Sequence, residues 1–104
     1  MKHTEEQIIA KAKEIMKDFR GKYYREECIN KLTFKKTDES FKAKEKNIKD
    51  SVWSVSINSL AENLDFLTIS DETGEPLYYQ NFNTFIFDVE KDEKGYFRIG
   101  LPRD

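Results

Sequence analysis

The side chains able to do nucleophilic or acid–base chemistry are unevenly represented in this chain of 104 residues. It contains one histidine, His3, and one cysteine, Cys28, beside 20 aspartates and glutamates. A structural zinc site needs four cysteine or histidine ligands, so such a site is excluded. Catalysis by a serine–histidine or cysteine–histidine pair would need His3, in a chain end that we expect to be frayed. We therefore predict no catalytic residues, no metal site and no cofactor, and we expect Cys28 to be a buried apolar residue.

Loops that bind phosphates or calcium are not indicated either. The four glycines are scattered and lack the spacing of a phosphate-binding loop. Residues 71–75 are acidic but lack the alternating ligands of a calcium-binding loop. Aspartate and glycine are typical of turns, which explains this stretch without a metal. A small enzyme that uses a pair of carboxylates stays open as an alternative.

The charges divide the chain into a basic half and an acidic half. Residues 1–50 hold 14 basic and 10 acidic residues, a net charge of +4. Residues 51–104 hold 4 basic and 10 acidic residues, a net charge of −6, so the whole chain has −2. Seven lysines in residues 31–49 could contact phosphates, but this segment has no arginine and only two aromatic residues. We interpret these lysines as a solvated face and predict no nucleic-acid binding.

The length and composition favour a single domain over residues 1–104. Aromatic residues make up 13% of the chain, a fraction unlike that of a disordered segment. No apolar run approaches the roughly 18 residues that a membrane helix needs. No apolar segment of the kind found in secretory signals follows the first residues. We expect a cytoplasmic protein that does not bind membranes.

The N-terminal segment has the pattern of an amphipathic helix over about residues 5–20. Thr4 and Gln7 have the spacing of a capping box, in which each side chain bonds the backbone of the other residue. Gly21 stands where a glycine commonly ends a helix. Apolar residues at helical spacing form a stripe that needs an apolar surface to cover it. The stripe consists of Ile8, Ile9, Ala12, Ile15, Met16 and Phe19.

The rest of the chain has the two-residue alternation of β-strands. It is clearest in residues 52–58, where Trp53, Val55 and Ile57 point to one side. Residues 71–75 form a hairpin turn in which Gly74 can take a positive φ. Further strands are predicted at residues 29–36, 64–70, 76–82, 85–89 and 96–99.

These elements predict an α+β fold. Short connections imply antiparallel neighbours, and one face of a sheet can cover the apolar stripe of the helix. We therefore expect the N-terminal helix to pack on a curved antiparallel sheet of five or six strands, in two layers. The lysine-rich residues 37–50 would be a loop or an exposed edge strand.

The acidic half combines charged turns with adjacent aromatic residues. Neighbouring rings in a strand, such as those of Tyr78 and Tyr79, lie on opposite faces, so one of them must face away from the helix. Exposed rings beside acids are typical of a protein-binding surface, although a sheet packed on both faces or a dimer interface would also explain them. The predicted partner-binding residues are Asp65, Asp71, Glu72, Glu75, Tyr78, Tyr79, Asp88, Glu90, Asp92, Glu93 and Tyr96.

Part of the chain resembles known families of small domains. The sequence WSVSI at residues 53–57 and the sequence FLTISDETGEPL at residues 66–77 are similar to the W-x-V … D-x-x-T-G pattern of PepSY-like domains. The stripe in residues 9–16, followed by an antiparallel sheet, resembles the small cystatin- or NTF2-like immunity proteins of bacterial polymorphic toxin systems. The resemblance covers residues 4–79 loosely, and it leaves the lysine-rich segment and residues 85–99 unmatched.

The resemblance to immunity proteins implies a non-enzymatic module that binds and neutralises a cognate toxin domain. An acidic half would suit a basic toxin domain, because opposite charges speed association. The alternative is a PepSY- or cystatin-like domain that binds a ligand or regulates a peptidase.

Overall fold

The computed structural model describes residues 2–35, 42–43, 46–47, 51–59 and 63–100. In this part of the chain an α-helix, α1 (Glu5–Arg20), is followed by two 3-10 turns, Gly21–Tyr23 and Glu26–Cys28, and then by eight strands. The strands are β1 (Ile29–Lys35), β2 (Lys42–Ala43), β3 (Lys46–Asn47), β4 (Val52–Asn58), β5 (Leu64–Ser70), β6 (Pro76–Gln80), β7 (Ile86–Asp92) and β8 (Gly95–Arg98).

Helix α1 begins and ends where the sequence predicts. The hydroxyl of Thr4 accepts a hydrogen bond from the Gln7 N–H at 3.1 Å, and the Gln7 side chain accepts one from the Thr4 N–H at 2.8 Å. This capping box satisfies backbone N–H groups that have no partner within the helix. At the other end, Gly21 donates its N–H to the Lys17 carbonyl and has a φ of +54°. Five residues of the predicted stripe are buried: Ile8, Ala12, Ile15, Met16 and Phe19.

Six strands form one antiparallel sheet in the order β1-β4-β5-β6-β7-β8. From β4 onward each strand pairs with the next one along the chain, as the short connections predict. Strands β2 and β3 belong to the lysine-rich segment and pair with each other in a separate two-stranded sheet. The other residues of the predicted loop or edge strand at 37–50 lie outside the described residues. The structure thus confirms an α+β fold with a helix on a six-stranded antiparallel sheet.

The main core lies between α1 and the sheet. Trp53 is fully buried on β4, opposite Phe34 of β1 and Ile69 of β5. Its ring meets that of Phe34 edge-on, with 4.9 Å between the ring centroids. Trp53 belongs to the same buried cluster as Ile15 and Phe19 of the helix. The predicted alternation of β4 is therefore confirmed.

A second, smaller cluster lies on the face of the sheet that points away from α1. Val52 and Tyr78 are buried there, with Leu77 and Ile86 packed against them. Tyr79, the next residue after Tyr78, is buried in the main core. Both members of this tyrosine pair are thus buried, because the sheet is packed on both of its faces here.

We expect the substitution Trp53→Ala to lower the free energy of unfolding by about 3–5 kcal/mol, as large-to-small substitutions in cores do. The measurement is urea unfolding followed by circular dichroism. As a matched control, Trp53→Phe keeps a buried ring but loses the indole N–H that bonds the Asp71 carboxylate, and should cost about 1.5–3 kcal/mol. A loss below about 1 kcal/mol for Trp53→Ala would contradict the central position of this side chain.

Candidate protein-binding surface

The predicted partner-binding residues separate into a buried and an exposed group. The exposed group consists of Glu72, Glu75, Glu90, Asp92 and Glu93, and Asp88 is half-buried. The buried group consists of Asp65, Asp71, Tyr78, Tyr79 and Tyr96. The prediction that the buried group lies on an exposed surface is wrong, because these side chains pack inside the fold or hold its segments together.

Asp71 follows β5 directly and is only 3% exposed. Its Oδ1 accepts hydrogen bonds from the Trp53 indole at 2.9 Å and from the His3 N–H at 3.0 Å. Its Oδ2 accepts one from the Lys2 N–H at 2.7 Å. Burial works against the charged carboxylate, but the N–H groups of Lys2, Trp53 and His3 outweigh it and lower the pKa of Asp71. The carboxylate therefore joins the N-terminal segment to the sheet.

The side chain of His3 is part of the same junction. Its Nδ1 lies 2.6 Å from the Asp71 carbonyl oxygen, which can only accept, so Nδ1 donates the proton. Its Nε2 lies against Gly74, where a Cβ would come within 2.6 Å of it. Gly74 has a φ of +74°, as the predicted turn requires. The expectation that His3 lies in a frayed chain end is wrong, because the turn after β5 holds it.

Asp65 forms the corresponding junction near the start of β5, where it is 5% exposed. The Tyr79 hydroxyl donates to its Oδ2 at 2.5 Å, and the Phe82 N–H donates to its Oδ1 at 2.9 Å. Burial, together with the hydrogen bond to the Asp65 carboxylate, raises the pKa of Tyr79 well above its ordinary value. The phenol therefore stays protonated, and both side chains support the hairpin between β6 and β7.

Tyr96 connects three elements of the fold. Its hydroxyl donates to Glu75 Oε2 at 2.5 Å and accepts from Lys11 Nζ at 3.2 Å. Its backbone N–H donates to Asp18 Oδ2 at 3.0 Å. Burial, followed by the hydrogen bond to Glu75, raises the pKa of Tyr96. These contacts fix β8 and the 71–75 turn to α1, so Tyr96 and Glu75 are structural.

Four exposed acids remain, and we refer to Glu72, Glu90, Asp92 and Glu93 as the acidic surface. Glu72 lies in the 71–75 turn and forms an ion pair with Lys2 at 2.5 Å. The other three lie in the hairpin between β7 and β8, where Asp92 Oδ1 accepts from the Lys94 N–H at 2.8 Å. The acidic surface is thus smaller than the sequence predicts.

The hairpin between β6 and β7 was not included in the predicted surface. Phe82 and Phe85 are 40% and 64% exposed at its tip. Asn81 Oδ1 accepts from the backbone N–H groups of Asn83 and Phe85, at 2.9 and 3.0 Å. Thr84 has a φ of +67°, which is rare for a β-branched residue. The sequence carries a signal here, because two phenylalanines stand where a turn usually has polar residues.

Two arginines near the end of α1 were also missed by sequence reasoning. The guanidinium carbon of Arg98 lies 4.7 Å from the centroid of the Phe19 ring and 5.1 Å from that of Tyr79. Arg20 Nη2 donates to the Asn58 carbonyl at 3.1 Å. We refer to Arg20, Arg98, Phe82 and Phe85 as the arginine–aromatic end.

Other kinds of site find little support in the part of the chain that the structure describes. No group of three or more histidine, cysteine, aspartate or glutamate side chains there could hold a metal ion. Nor does that part include a helix with the length and apolar character to cross a membrane. Cys28 is buried as predicted, and burial raises the pKa of its thiol. A protonated, buried thiol is a poor nucleophile.

We expect the stabilising effect of the Asp71 carboxylate to disappear in acid. A lowered pKa in the folded state stabilises the protein above the ordinary aspartate pKa of about 3.9 and is lost as pH falls through the lower, folded value. The variant Asp71→Asn has no such charge, so its deficit against the wild type should be constant from about pH 5 to 8 and shrink below about pH 4. Urea unfolding followed by Trp53 fluorescence measures this difference, and a deficit that grows in acid would contradict it.

Removing the hydroxyl in Tyr96→Phe should lower the free energy of unfolding by about 1–2 kcal/mol, because Glu75 and Lys11 lose a shared partner. Tyr23→Phe is the matched control, since Tyr23 is 63% exposed, and it should change stability by less than about 0.5 kcal/mol. Thermal and urea unfolding of the two variants give the comparison. Equal stabilities would mean that the Tyr96 network does not hold the fold.

The structure thus presents two exposed sets of side chains, the acidic surface and the arginine–aromatic end. The first lies on the 71–75 turn and the β7–β8 hairpin. The second consists of arginines near the end of α1 and phenylalanines of the β6–β7 hairpin. When the chain is compared with protein-family models, curated proteins and solved structures, none of them matches it.

Proposed function

We propose that this protein is a non-enzymatic protein-binding module, and that it acts as an immunity protein that binds and neutralises a cognate bacterial toxin domain. The observation that carries this proposal is the division of its acids into two groups. Asp65 and Asp71 are buried and hold the fold. The acids of the acidic surface are exposed on hairpins, where a partner can reach them.

The charge of the acidic surface suits a basic partner. Glu90, Asp92 and Glu93 share the β7–β8 hairpin with Lys91 and Lys94. The hairpin keeps an excess of one negative charge, which attracts a positive surface over about a Debye length. Such attraction raises the rate of association more than it raises the affinity. An inhibitor benefits from rapid capture of its target, so an acidic surface fits a protein that neutralises a basic toxin domain.

The chemistry of His3 and Cys28 supports a role without catalysis. His3 Nδ1 is engaged by the Asp71 carbonyl, and the ring lies against Gly74. The Cys28 thiol is buried, with a raised pKa. The basic atom of His3, Nε2, is packed against Gly74, and the Cys28 thiol is protonated, so both are poorly placed to act on a substrate. The proposal needs no cofactor, and it places the protein in the cytoplasm.

The test starts from the gene beside the one that encodes this chain, which should encode a toxin with a basic C-terminal domain. The purified toxin domain and this protein are mixed, and association is measured by stopped-flow at low and high salt. We expect the double variant Glu90→Lys/Glu93→Lys to slow association at low salt by about tenfold or more, and by less at high salt. The variant Glu26→Lys/Glu27→Lys is the matched control, because it makes the same charge change on an exposed turn outside the acidic surface.

Equal association rates for the two double variants would contradict binding through the acidic surface. Loss of binding in Lys42→Glu/Lys44→Glu/Lys46→Glu alone would instead indicate an acidic partner for the lysine-rich segment. A neighbouring gene that encodes a peptidase, with binding to its product, would favour the PepSY- or cystatin-like alternative.

A further inference from the structure

The guanidinium group of Arg98 lies against two aromatic rings. It lies over Phe19 and Tyr79, whose rings meet edge-on with 5.5 Å between their centroids. Among the described residues, neither Arg98 nor Arg20 forms an ion pair. A guanidinium group stacked on a ring keeps its N–H donors in its own plane, where they can still reach a carboxylate. Arg98 is thus a fixed cation with donors to spare.

Asp65, which is buried, forms no ion pair with either arginine. Asp65 directs its two carboxylate oxygens to the Tyr79 hydroxyl and to the Phe82 N–H. Both arginines act on that hydroxyl: burial and Asp65 raise the pKa of Tyr79, while the charges of Arg98 and Arg20 oppose this rise. Arg98 is therefore the positive charge over the Tyr79 ring, and no described acid pairs with it.

An exposed apolar side chain lies on the same face of the sheet as Arg98. Asn81 and Phe85 extend the pairing of β6 and β7, because the Asn81 N–H donates to the Phe85 carbonyl at 3.0 Å. Residues two apart in a strand share a face, so Phe85 lies on the face of Phe87, which pairs with Tyr79. The hydrogen bonds of Asn81 hold this tip in one conformation, which lowers the entropic cost of binding.

We infer that the arginine–aromatic end binds an acidic segment of another protein, in which a carboxylate side chain lies next to an apolar one. The carboxylate would pair with Arg98, and the apolar side chain would pack on Phe85. Arginine and aromatic residues are enriched among the residues that dominate binding energies. A polyanion such as nucleic acid fits less well, because the chain carries a net charge of −2 and exposed acids at Glu26 and Glu27.

This surface is distinct from the acidic surface. The 71–75 turn contacts the chain just before α1, at His3, whereas Arg98 contacts Phe19 in its last turn. The β7–β8 hairpin lies nearer, because the Tyr96 N–H donates to Asp18. Arg98 pairs with Val89, however, and Glu90 pairs with Phe97, so the side chains of Arg98 and Glu90 lie on opposite faces of the sheet. The inference does not depend on the proposed function, and the two can fail separately.

The experiment selects ligands from a phage library of random peptides about twelve residues long, with the full chain immobilised. We expect the enriched peptides to share an aspartate or glutamate beside a large apolar residue. Affinities of one such peptide, synthesised with a fluorophore, are then measured by fluorescence anisotropy. Arg98→Gln and Phe85→Ser should each weaken binding by about tenfold or more, and Arg98→Lys should weaken it less than Arg98→Gln.

Two controls keep the result decisive. Phe85 is 64% exposed, so Phe85→Ser is expected to fold even if Arg98→Gln does not, and Trp53 fluorescence checks both variants. Glu90→Lys/Glu93→Lys should bind the peptide as the wild type does. Failure to enrich an acidic–apolar sequence would overturn the inference, as would a peptide affinity that neither variant changes. Binding of a labelled single-stranded DNA twelve-mer at the same site, lost in Arg98→Gln and Phe85→Ser, would overturn it in favour of a nucleic-acid site.

Discussion

Two buried aspartates constrain the whole structure, because a carboxylate can leave water only if hydrogen-bond donors replace its hydration. Asp65 and Asp71 lie near the two ends of β5, and both are at most 5% exposed. Asp71 draws donors from Lys2, His3 and the Trp53 indole. Asp65 takes its donors from a tyrosine hydroxyl and from the backbone of the next hairpin. A central strand therefore holds the segment before the helix at one end and the β6–β7 hairpin at the other.

Because the buried acids and tyrosines bond each other within the fold, a partner protein can contact only other, exposed side chains. The polar groups of Tyr79 and Tyr96 are engaged by Asp65 and Glu75. The remaining surface residues differ in chemistry between two regions. Acids lie on the 71–75 turn and the β7–β8 hairpin, and arginines near the end of α1 share a second region with the phenylalanines of the β6–β7 hairpin. A net charge of −2 does not reveal this division, since it averages over both regions.

Local patterns predicted the elements, and distant contacts decided which acids and tyrosines are exposed. The capping box of Thr4 and Gln7 spans four residues, and the alternation around Trp53 is visible within β4. By contrast, Asp71 accepts hydrogen bonds from His3 and Lys2, which lie 68 and 69 residues earlier in the chain. Its neighbours in the sequence are typical of a solvated turn and do not indicate these contacts. The same holds for Tyr96, whose partner Lys11 is 85 residues away. The exposed phenylalanines of the β6–β7 hairpin were visible in the sequence, but the ring contacts of Arg98 were not.

The interface between α1 and β8 has a consequence for folding kinetics. From β4 to β8 each strand pairs with its successor, so hairpins can form through short loops. The contact between Asp18 and Tyr96 closes a loop of 78 residues, and closing a long loop costs entropy before its contacts repay it. We therefore expect the contacts between α1 and β8 to form late in folding. Contacts that form after the transition state mainly affect the unfolding rate. Substitutions in the interface between α1 and β8 should therefore raise the unfolding rate and leave the folding rate nearly unchanged.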